Sequence, residues 1–243
     1  MSLVVLACNE ADNVAPVLQE LLAWLRVHEP TAELLFVDDG SHDDTAAIAR
    51  RALDGTNSKV MRHDRNRGIG AAIKTGTKAA RNPWVTFMPA DGQIEPAAIG
   101  TLRETAARDG CPLVLSVYKL RSDGRFRKVL SWGVRVLVRL IHGVTLRCEG
   151  PYLFRRELFD ADLLAPESFF LNFEFPIRVL RAGHPVSVAE IGCRPRIGGT
   201  SKTANLRTIL NVVTDLVSLR LRLLREPPLR GIRGERAERG QRP

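Results

Sequence analysis

The amino-acid sequence predicts an α/β protein built on a doubly wound parallel sheet. In the first 118 residues, short apolar runs alternate with stretches in which apolar residues recur every three or four positions. Strands and helices that alternate at this spacing are typical of parallel sheets covered by helices. Two of the apolar runs end abruptly in acidic residues, at 38–39 and at 91. Because ligands of such sheets bind beyond the carboxyl ends of strands, these acidic residues are the first candidates for a binding site.

The individual elements follow in order along the chain. Apolar residues at positions 14, 17, 18, 21, 22 and 25 form one face of a first helix. Ser41 or Asp43 is placed to cap the second helix. In the first half we predict strands at 3–7, 34–37, 60–62 and 84–88, and helices at 14–25, 44–53 and 70–80. In the second half we predict helices at 126–143, 166–182 and 204–225, and a strand at 185–191.

Length and composition indicate one large domain. A chain of 243 residues can bury a substantial core, and its 44% hydrophobic and 26% charged residues are ordinary for a globular protein. No internal repeat is visible. Residues 227–243 are rich in Arg, Gly and Glu and poor in apolar residues, which predicts a disordered basic tail.

The cysteine pattern and the hydropathy favour a cytoplasmic protein. The four cysteines are scattered, with no close pair at metal-ligand spacing, and this suits a reducing compartment. The apolar N-terminus lacks the basic residues that begin a signal peptide and is interpreted as the first strand. No uninterrupted apolar run is long enough to span a bilayer. Any membrane contact is therefore expected to be peripheral.

The net charge of +9 is unevenly distributed. Residues 1–118 carry 12 basic against 15 acidic side chains, whereas residues 119–156 carry 10 against 2. A sharply basic segment after an acidic half indicates an anionic partner for the second half: nucleic acid, anionic lipid or a phosphorylated substrate. Aromatic residues make up only 6% and no nucleic-acid-binding module is visible, so we expect no nucleic acid partner.

Three strand ends carry polar motifs. The first strand runs into Cys8-Asn9-Glu10, the second into Asp38-Asp39-Gly40-Ser41, and the fourth into Asp91-Gly92-Gln93. A glycine-rich stretch follows at 66–76, and Glu174, Gly183 and the run 194–202 complete the set. Together, over about 3–203, these motifs resemble family 2 glycosyltransferases with a GT-A fold, and within that family the dolichyl- or polyprenyl-phosphate sugar synthases.

The resemblance implies a domain plan and a reaction. A GT-A domain would occupy 1–203, with a nucleotide-sugar half at 1–110 and an acceptor half at 111–203, followed by an amphipathic, membrane-facing helix at 204–226. The alternative for this helix is that it docks on the protein's own core or on a second subunit. The enzyme would transfer a hexose-type sugar from a nucleotide diphosphate sugar to an isoprenoid lipid phosphate, with inversion. We expect it to lie on the anionic inner face of a membrane, and homo-oligomer formation is left open.

The donor site is expected at the strand ends. Asp38 and Asp39 form a carboxylate pair that can accept hydrogen bonds from a nucleoside's base and ribose, although one of them could simply cap the next helix. Asp91, with Gln93 beside it, is the candidate ligand of Mg²⁺ or Mn²⁺ and a catalytic residue, since hard oxygen ligands suit these ions. The resemblance adds further donor-binding residues, so that the predicted set is Ala7, Asn9, Glu10, Asp38, Asp39, Gly68, Ala90 and Asp91.

The chain departs from the family pattern at two of these motifs. Relatives commonly carry an aspartate two residues before Asp91, where this chain has Pro89, so one fewer carboxylate is available for the ion. Relatives also carry a tyrosine in the opening motif, where this chain has Cys8. The first departure motivates a rival hypothesis, a non-catalytic protein that binds a nucleotide sugar or a lipid phosphate.

The acceptor site is expected to be basic. Glu149 is the carboxylate in the region where relatives place an aspartate; it would act as a catalytic base or pair with neighbouring arginines. A phosphate acceptor needs little base assistance because it is already largely anionic at neutral pH. A base role for Glu149 would favour the other rival, a soluble hydroxyl acceptor such as a natural product. The predicted acceptor-binding residues are Lys119, Arg121, Arg127, Ser131, Arg196, Ser201 and Lys202, with Arg196 also placed at the catalytic centre.

Overall fold

The computed structural model describes residues 1–119, 125–194 and 206–226, and for 125–131 and 206–211 it describes the backbone alone. One sheet of seven strands runs through this part of the chain in the order β3-β2-β1-β4-β6-β5-β7. The strands are β1 (Ser2–Ala7), β2 (Glu33–Asp38), β3 (Ser58–Arg62), β4 (Trp84–Pro89), β5 (Leu113–Tyr118), β6 (Leu153–Arg155) and β7 (Val186–Ile191).

Helices cover both faces of this sheet. They are α1 (Ala11–His28), α2 (Thr45–Leu53), α3 (Ile69–Ala79), α4 (Ala97–Asp109), α5 (Arg125–His142), α6 (Leu171–Arg181) and α7 (Leu206–Leu223), with a short 3₁₀ helix at Arg156–Leu158. Side chains of a strand alternate between faces, so Val4 packs in the core beneath α3, α5, α6 and α7, whereas Val5 packs in the core beneath α1, α2 and α4. Gly76 permits the close approach of α3, because a Cβ there would lie 2.2 Å from Cγ1 of Val4.

The strands of the first half, β1 to β4, pair in parallel as predicted, but the sheet as a whole is mixed. β6 runs antiparallel to both of its neighbours, β4 and β5, while the other pairs are parallel. β6 has only three residues, too few for an alternation that sequence analysis could detect. Since β4 and β5 both oppose β6, they point the same way. The carboxyl ends of β1, β2, β4, β5 and β7 therefore meet at one edge of the sheet.

The prediction of a helix at 166–182 is wrong at its beginning, because α6 starts at Leu171. The residues before it contact the beginning of α3 instead: the N–H of Ala71 donates to the carbonyl of Glu167 at 3.0 Å. Gly70 permits this contact, since a Cβ there would lie 2.5 Å from the carbonyl oxygen of Ser168. The prediction also left α4, β5 and β6 unassigned.

The last helix docks on the protein core along part of its length. Leu216 and Leu219 of α7 are completely buried, and the guanidinium of Arg222 bonds both carboxylate oxygens of Glu174 in α6. This is the docking that the sequence left open as an alternative to membrane contact. Other apolar side chains of α7 stay exposed, as at Leu221 and Leu224. Among the described helices, none combines the length and the apolar character that crossing a membrane requires.

Candidate active site

A cavity of about 530 Å³ opens at the carboxyl edge of the sheet, where β1 and β4 end and α1 and α3 begin. Its volume suits a ligand of the size of a nucleotide. Six of the eight predicted donor-binding residues line it: Ala7, Asn9, Glu10, Asp39, Gly68 and Ala90. The structure thus brings most of the predicted donor site together.

Asp39 is the carboxylate that organises one wall of this cavity. Its Oδ1 accepts a hydrogen bond from the N–H of Arg67 at 2.9 Å, and its Oδ2 accepts one from the N–H of Gly68 at 2.8 Å. Nδ1 of His63 lies 2.7 Å from Oδ1, and Nε2 of the same ring lies 2.8 Å from the hydroxyl of Thr75. A single carboxylate therefore fixes the glycine-rich loop that precedes α3.

Asp38, in contrast, is bonded within the turn after β2. It is fully buried, and its Oδ1 accepts hydrogen bonds from the N–H of Ser41, at 3.1 Å, and from the Ser41 hydroxyl. Nε of Arg62 lies 3.1 Å from its other oxygen. Asp38 is not among the lining residues, so the structure gives it a role in the turn after β2 and lends no support to direct donor contact. The N–H of Thr45, which begins α2, is bonded by Asp43 rather than by either member of the pair.

The loops after β1 and β2 are tied to each other. Asn9 has a positive φ of 55°, a conformation that asparagine tolerates better than most residues, and its Oδ1 accepts the N–H of His42 at 2.9 Å. The N–H of Asn9 donates to the hydroxyl of Ser41, and the N–H of Glu10 donates to that of Thr45, both at 2.9 Å. These bonds explain why Asn9 and Glu10 lie at the cavity rather than in solvent.

The predicted metal residues Asp91 and Gln93 are not among the lining residues, but they follow directly after Pro89 and Ala90, which are. Asp91 is buried, 7% exposed, and its Oδ1 accepts the N–H of Gln93 at 3.1 Å across a turn in which Gly92 has a φ of 72°. Pro89 lines the cavity and offers no side-chain oxygen. Within the described ranges, no three His, Cys, Asp or Glu side chains are grouped so that they could hold a metal ion. This arrangement fits an ion that takes some of its ligands from the protein and the others from a bound diphosphate, as Mg²⁺ commonly does.

The negative charge of the cavity wall also favours a bound cation. Among the described residues, the lining includes the carboxylates of Glu10, Asp12, Asp39 and Asp43 and no Lys or Arg side chain. The N-termini of α1 and α3, which also face the cavity, offer partial positive charge to an anion. A diphosphate in this acidic cavity would still need a cation to offset the repulsion.

Glu149 and Lys119 lie at the same edge, beyond β5. The N–H of Glu149 donates to the carbonyl of Ser116 at 2.8 Å, and its carboxylate lies 3.8 Å from Nη1 of Arg135. The exposed Lys119 donates its N–H to the carbonyl of Ile191 at the end of β7. The contact with Arg135 supports the charge-pair alternative for Glu149 and leaves the base role as a prediction.

The remaining acceptor predictions lie outside the described residues. These are Arg121, Arg196, Ser201 and Lys202, together with the side chains of Arg127 and Ser131.

Sequence reasoning assigned no role to two residues that build this site. His63 follows β3 directly, and a polar residue after a strand was the available signal. Arg194 bonds the turn that follows Asp91, through Nε and the carbonyl of Gly92 at 2.6 Å. The sequence placed Arg194 at the start of the motif run 194–202 but gave it no role of its own.

Comparison with known proteins decides the family. Residues 2–167 match the sequence model described as "Glycosyl transferase family 2". The chain belongs to this family. The resemblance predicted from the motifs is thereby confirmed.

Two relatives of this family 2 glycosyltransferase act on lipid phosphates, according to their names. Dodecaprenyl-phosphate galacturonate synthase from Rhizobium johnstonii is 33% identical over 153 residues, which are 62% of this chain and 45% of that protein. Undecaprenyl-phosphate 4-deoxy-4-formamido-L-arabinose transferase from Aeromonas hydrophila is 30% identical over 223 residues, 90% of this chain and 67% of that protein. The chain thus spans less than half of the first relative and about two thirds of the second.

Solved structures establish the fold of this glycosyltransferase. Mannosyl-3-phosphoglycerate synthase from Rubrobacter xylanophilus has a TM-score of 0.70 at 22% identity, over 96% of this chain and 77% of that chain. Glucosyl-3-phosphoglycerate synthase from Mycobacterium tuberculosis, in complex with Mn²⁺, UDP and glucosyl-3-phosphoglycerate, has a TM-score of 0.65 at 21% identity, over 93% and 80% of the two chains. The same enzyme is also solved with Mg²⁺ and UDP. The predicted GT-A fold is confirmed.

Proposed function

We propose that this glycosyltransferase transfers a hexose-type sugar from a nucleotide diphosphate sugar to a polyprenyl phosphate. The observation that carries the proposal is the similarity to two enzymes named for polyprenyl-phosphate substrates, one of them aligned over 90% of this chain. The basic segment at 119–156 supplies the positive charge that an anionic acceptor requires.

The donor is assigned to the cavity at the carboxyl edge. Its volume accommodates a nucleotide, and Asp39 holds the loop of Arg67 and Gly68 against it. Mn²⁺ and UDP are bound together by a structural neighbour, which supports a metal-bound donor here. A bound Mg²⁺ or Mn²⁺ would neutralise the charge that develops on the departing diphosphate. Asp91 and Gln93 are the residues assigned to it.

The proposed reaction is a direct displacement. An acceptor phosphate oxygen forms a bond to the anomeric carbon as the bond from that carbon to the donor's diphosphate breaks, so the configuration inverts. A phosphate monoester has its second pKa near 6 and is largely dianionic at neutral pH, so attack requires no proton transfer to the protein. Glu149 would then serve in charge pairing with Arg135 rather than as a base.

The membrane surface is proposed as the place of the reaction. Exposed apolar side chains occur on α5, at Trp132 and Leu140, and on α7, at Val217, Leu221 and Leu224. Basic residues flank them and would be attracted to an anionic leaflet by on the order of 1 kcal/mol each. We place the enzyme on the cytoplasmic side, peripherally, where nucleotide sugars and the lipid phosphate meet.

A panel of acceptors tests the proposed function. Undecaprenyl phosphate, undecaprenol and 3-phosphoglycerate are offered with UDP- and GDP-linked sugars and MnCl₂, and glycosylated products are detected by mass spectrometry. We expect product with undecaprenyl phosphate and none with the other two. Product with 3-phosphoglycerate or undecaprenol instead would contradict the proposal.

Variants of the acceptor motif sharpen that test. Arg196→Ala and Lys202→Ala are expected to lower turnover on the lipid phosphate while they spare nucleotide binding. A loss confined to donor affinity would mean that these cations hold the departing diphosphate.

A second candidate is transfer to a hydroxyl acceptor, which the exposed carboxylate of Glu149 at the same sheet edge favours. A hydroxyl must lose its proton during attack, so a base contributes there. Glu149→Gln distinguishes the two: its effect should be small for a phosphate acceptor, and about a hundredfold or more in kcat for a hydroxyl acceptor.

A further inference from the structure

Arg194, from a distant part of the chain, forms hydrogen bonds with the turn that follows β4. Nε of Arg194 donates to the carbonyl of Gly92 at 2.6 Å, and the backbone N–H of Arg194 donates to the carbonyl of Gln93 at 2.9 Å. Arg194 is 102 residues away from Gly92 in sequence and lies three residues after the end of β7. Two consecutive carbonyls of the turn are thus bonded by the chain that leaves the far edge strand of the sheet.

The other end of the guanidinium is fixed as well. Nη1 of Arg194 donates to Oε1 of Glu20 at 3.2 Å, and Nη2 bonds Oε2 of the same carboxylate, which belongs to α1. This hydrogen-bonded carboxylate raises the pKa of the Arg194 guanidinium above its ordinary value. The planar fork of arginine can bond a carbonyl through Nε and a carboxylate through its two Nη atoms together. A lysine ammonium has no such geometry.

These bonds reach the carboxylate of Asp91 through the backbone. The carbonyl of Gln93 accepts from Arg194, and the N–H of Gln93 donates to Oδ1 of Asp91. Pro89 supplies no ligand oxygen, so the orientation of Asp91 matters more here than in a site with two carboxylates. Groups that orient a metal-ligating side chain by hydrogen bonding typically raise the metal affinity tenfold to a hundredfold.

We propose that Arg194 is a positioning residue that fixes the Asp91 turn for the metal-bound donor, with Glu20 as its anchor on α1. The inference rests on the proposed function, because it assumes that Asp91 takes part in donor binding. It extends that function by linking the exit of β7, which leads into the predicted acceptor motif, to the donor site. Arg194 itself touches the turn, not the substrate.

The test is nucleotide binding as a function of metal concentration. Calorimetric titrations of UDP and of GDP are made at increasing MnCl₂ for the wild type, Arg194→Ala, Arg194→Lys and Glu20→Gln. We expect both Arg194 variants to raise the Mn²⁺ concentration for half-maximal nucleotide binding about tenfold or more. Nucleotide binding without metal should change little. Glu20→Gln keeps the bond to Gly92 and is expected to give a smaller increase.

A matched control separates positioning from general stabilisation. Arg103 of α4 pairs with Glu29 at the end of α1 at 3.0 Å, so Arg103→Lys disturbs another Arg–Glu contact of α1 away from the Asp91 turn. This variant should lower the melting temperature about as much as Arg194→Lys does, without changing the Mn²⁺ requirement. If Arg194→Ala fails to fold, the Lys variant decides.

The outcomes distinguish the two levels of the proposal. An unchanged Mn²⁺ requirement in a folded Arg194 variant, with a wild type that binds nucleotide, overturns the positioning role alone. A wild type that binds neither nucleotide with Mn²⁺ overturns the proposed donor site, and the positioning role with it.

Discussion

Lowering the pH is expected to destabilise the protein through His142, at the end of α5. Its ring is buried, 3% exposed, and Nε2 lies 3.0 Å from the carbonyl of Leu216 in α7, a geometry that needs a proton on Nε2. Nδ1 has no hydrogen-bond partner among the described residues. A second proton on the ring would therefore be a buried, unpaired charge.

Burial, together with the positive charges of Arg181 and Arg220, lowers the pKa of His142 from 6.5 to about 4, against the opposing effects of the hydrogen bond to Leu216 and of Glu174. Between these two pKa values the unfolded chain binds a proton that the folded chain does not. The stability is thus fully present above pH 6.5 and is lost as the pH falls towards 4. The difference between the two pKa values corresponds to about 3 kcal/mol of unfolding free energy.

Urea unfolding at pH 7, 6, 5 and 4 measures this loss. His142→Gln removes the titration and can keep an N–H donor for Leu216, so its unfolding free energy should fall by about 3 kcal/mol less than that of the wild type over this range. His28→Gln, at an exposed residue of α1, is the matched control and should follow the wild type. Parallel pH profiles for the wild type and His142→Gln would refute the reasoning.

Three further predictions concern the donor site and the membrane. Asp39→Ala should weaken nucleotide binding by about 1–3 kcal/mol and also lower the melting temperature, because it leaves the N–H groups of Arg67 and Gly68 without their acceptor; calorimetry and thermal unfolding measure both. Asp91→Ala should abolish the stimulation of nucleotide binding by Mn²⁺, whereas Pro89→Asp should tighten Mn²⁺ binding to the free protein. Both are measured by a metal titration with and without nucleotide. Tight Mn²⁺ binding to the wild-type protein in the absence of nucleotide would contradict this prediction. Trp132→Glu combined with Leu221→Glu should reduce co-sedimentation with anionic vesicles, and binding that ignores both these changes and salt would exclude the proposed surface.

The sequence was sufficient to place the cavity at the carboxyl edge of the sheet because the information there is local. The ends of β1, β2 and β4 could be located from apolar runs that stop at polar residues, and the structure brings these ends to one edge. It could not separate Asp38 from Asp39. Neighbouring residues at a strand end point in different directions, and only the fold determines that Asp39 faces the loop of Gly68 while Asp38 faces Ser41.

Contacts between distant parts of the chain could not be predicted from the sequence. β6 is recognised only by its two partners, since its three residues show no period of their own. Before the late start of α6, Glu167 forms a backbone bond with Ala71, a contact that no helix propensity encodes. The pairing of Arg194 with Gly92 is of the same kind.

The brevity of β6 has a consequence for how the molecule opens. Only three residue pairs join it to β4 and two join it to β5, whereas β1 and β2 share six. Strands β1, β2 and β4 on one side and β5 and β7 on the other are thus connected by a narrow hydrogen-bonded ladder. Such a ladder lets two parts of one sheet exchange their amide protons as separate cooperative units. The enzyme would then have an intrinsic seam between the proposed donor and acceptor sides, along which one side can fluctuate while the other keeps its shape.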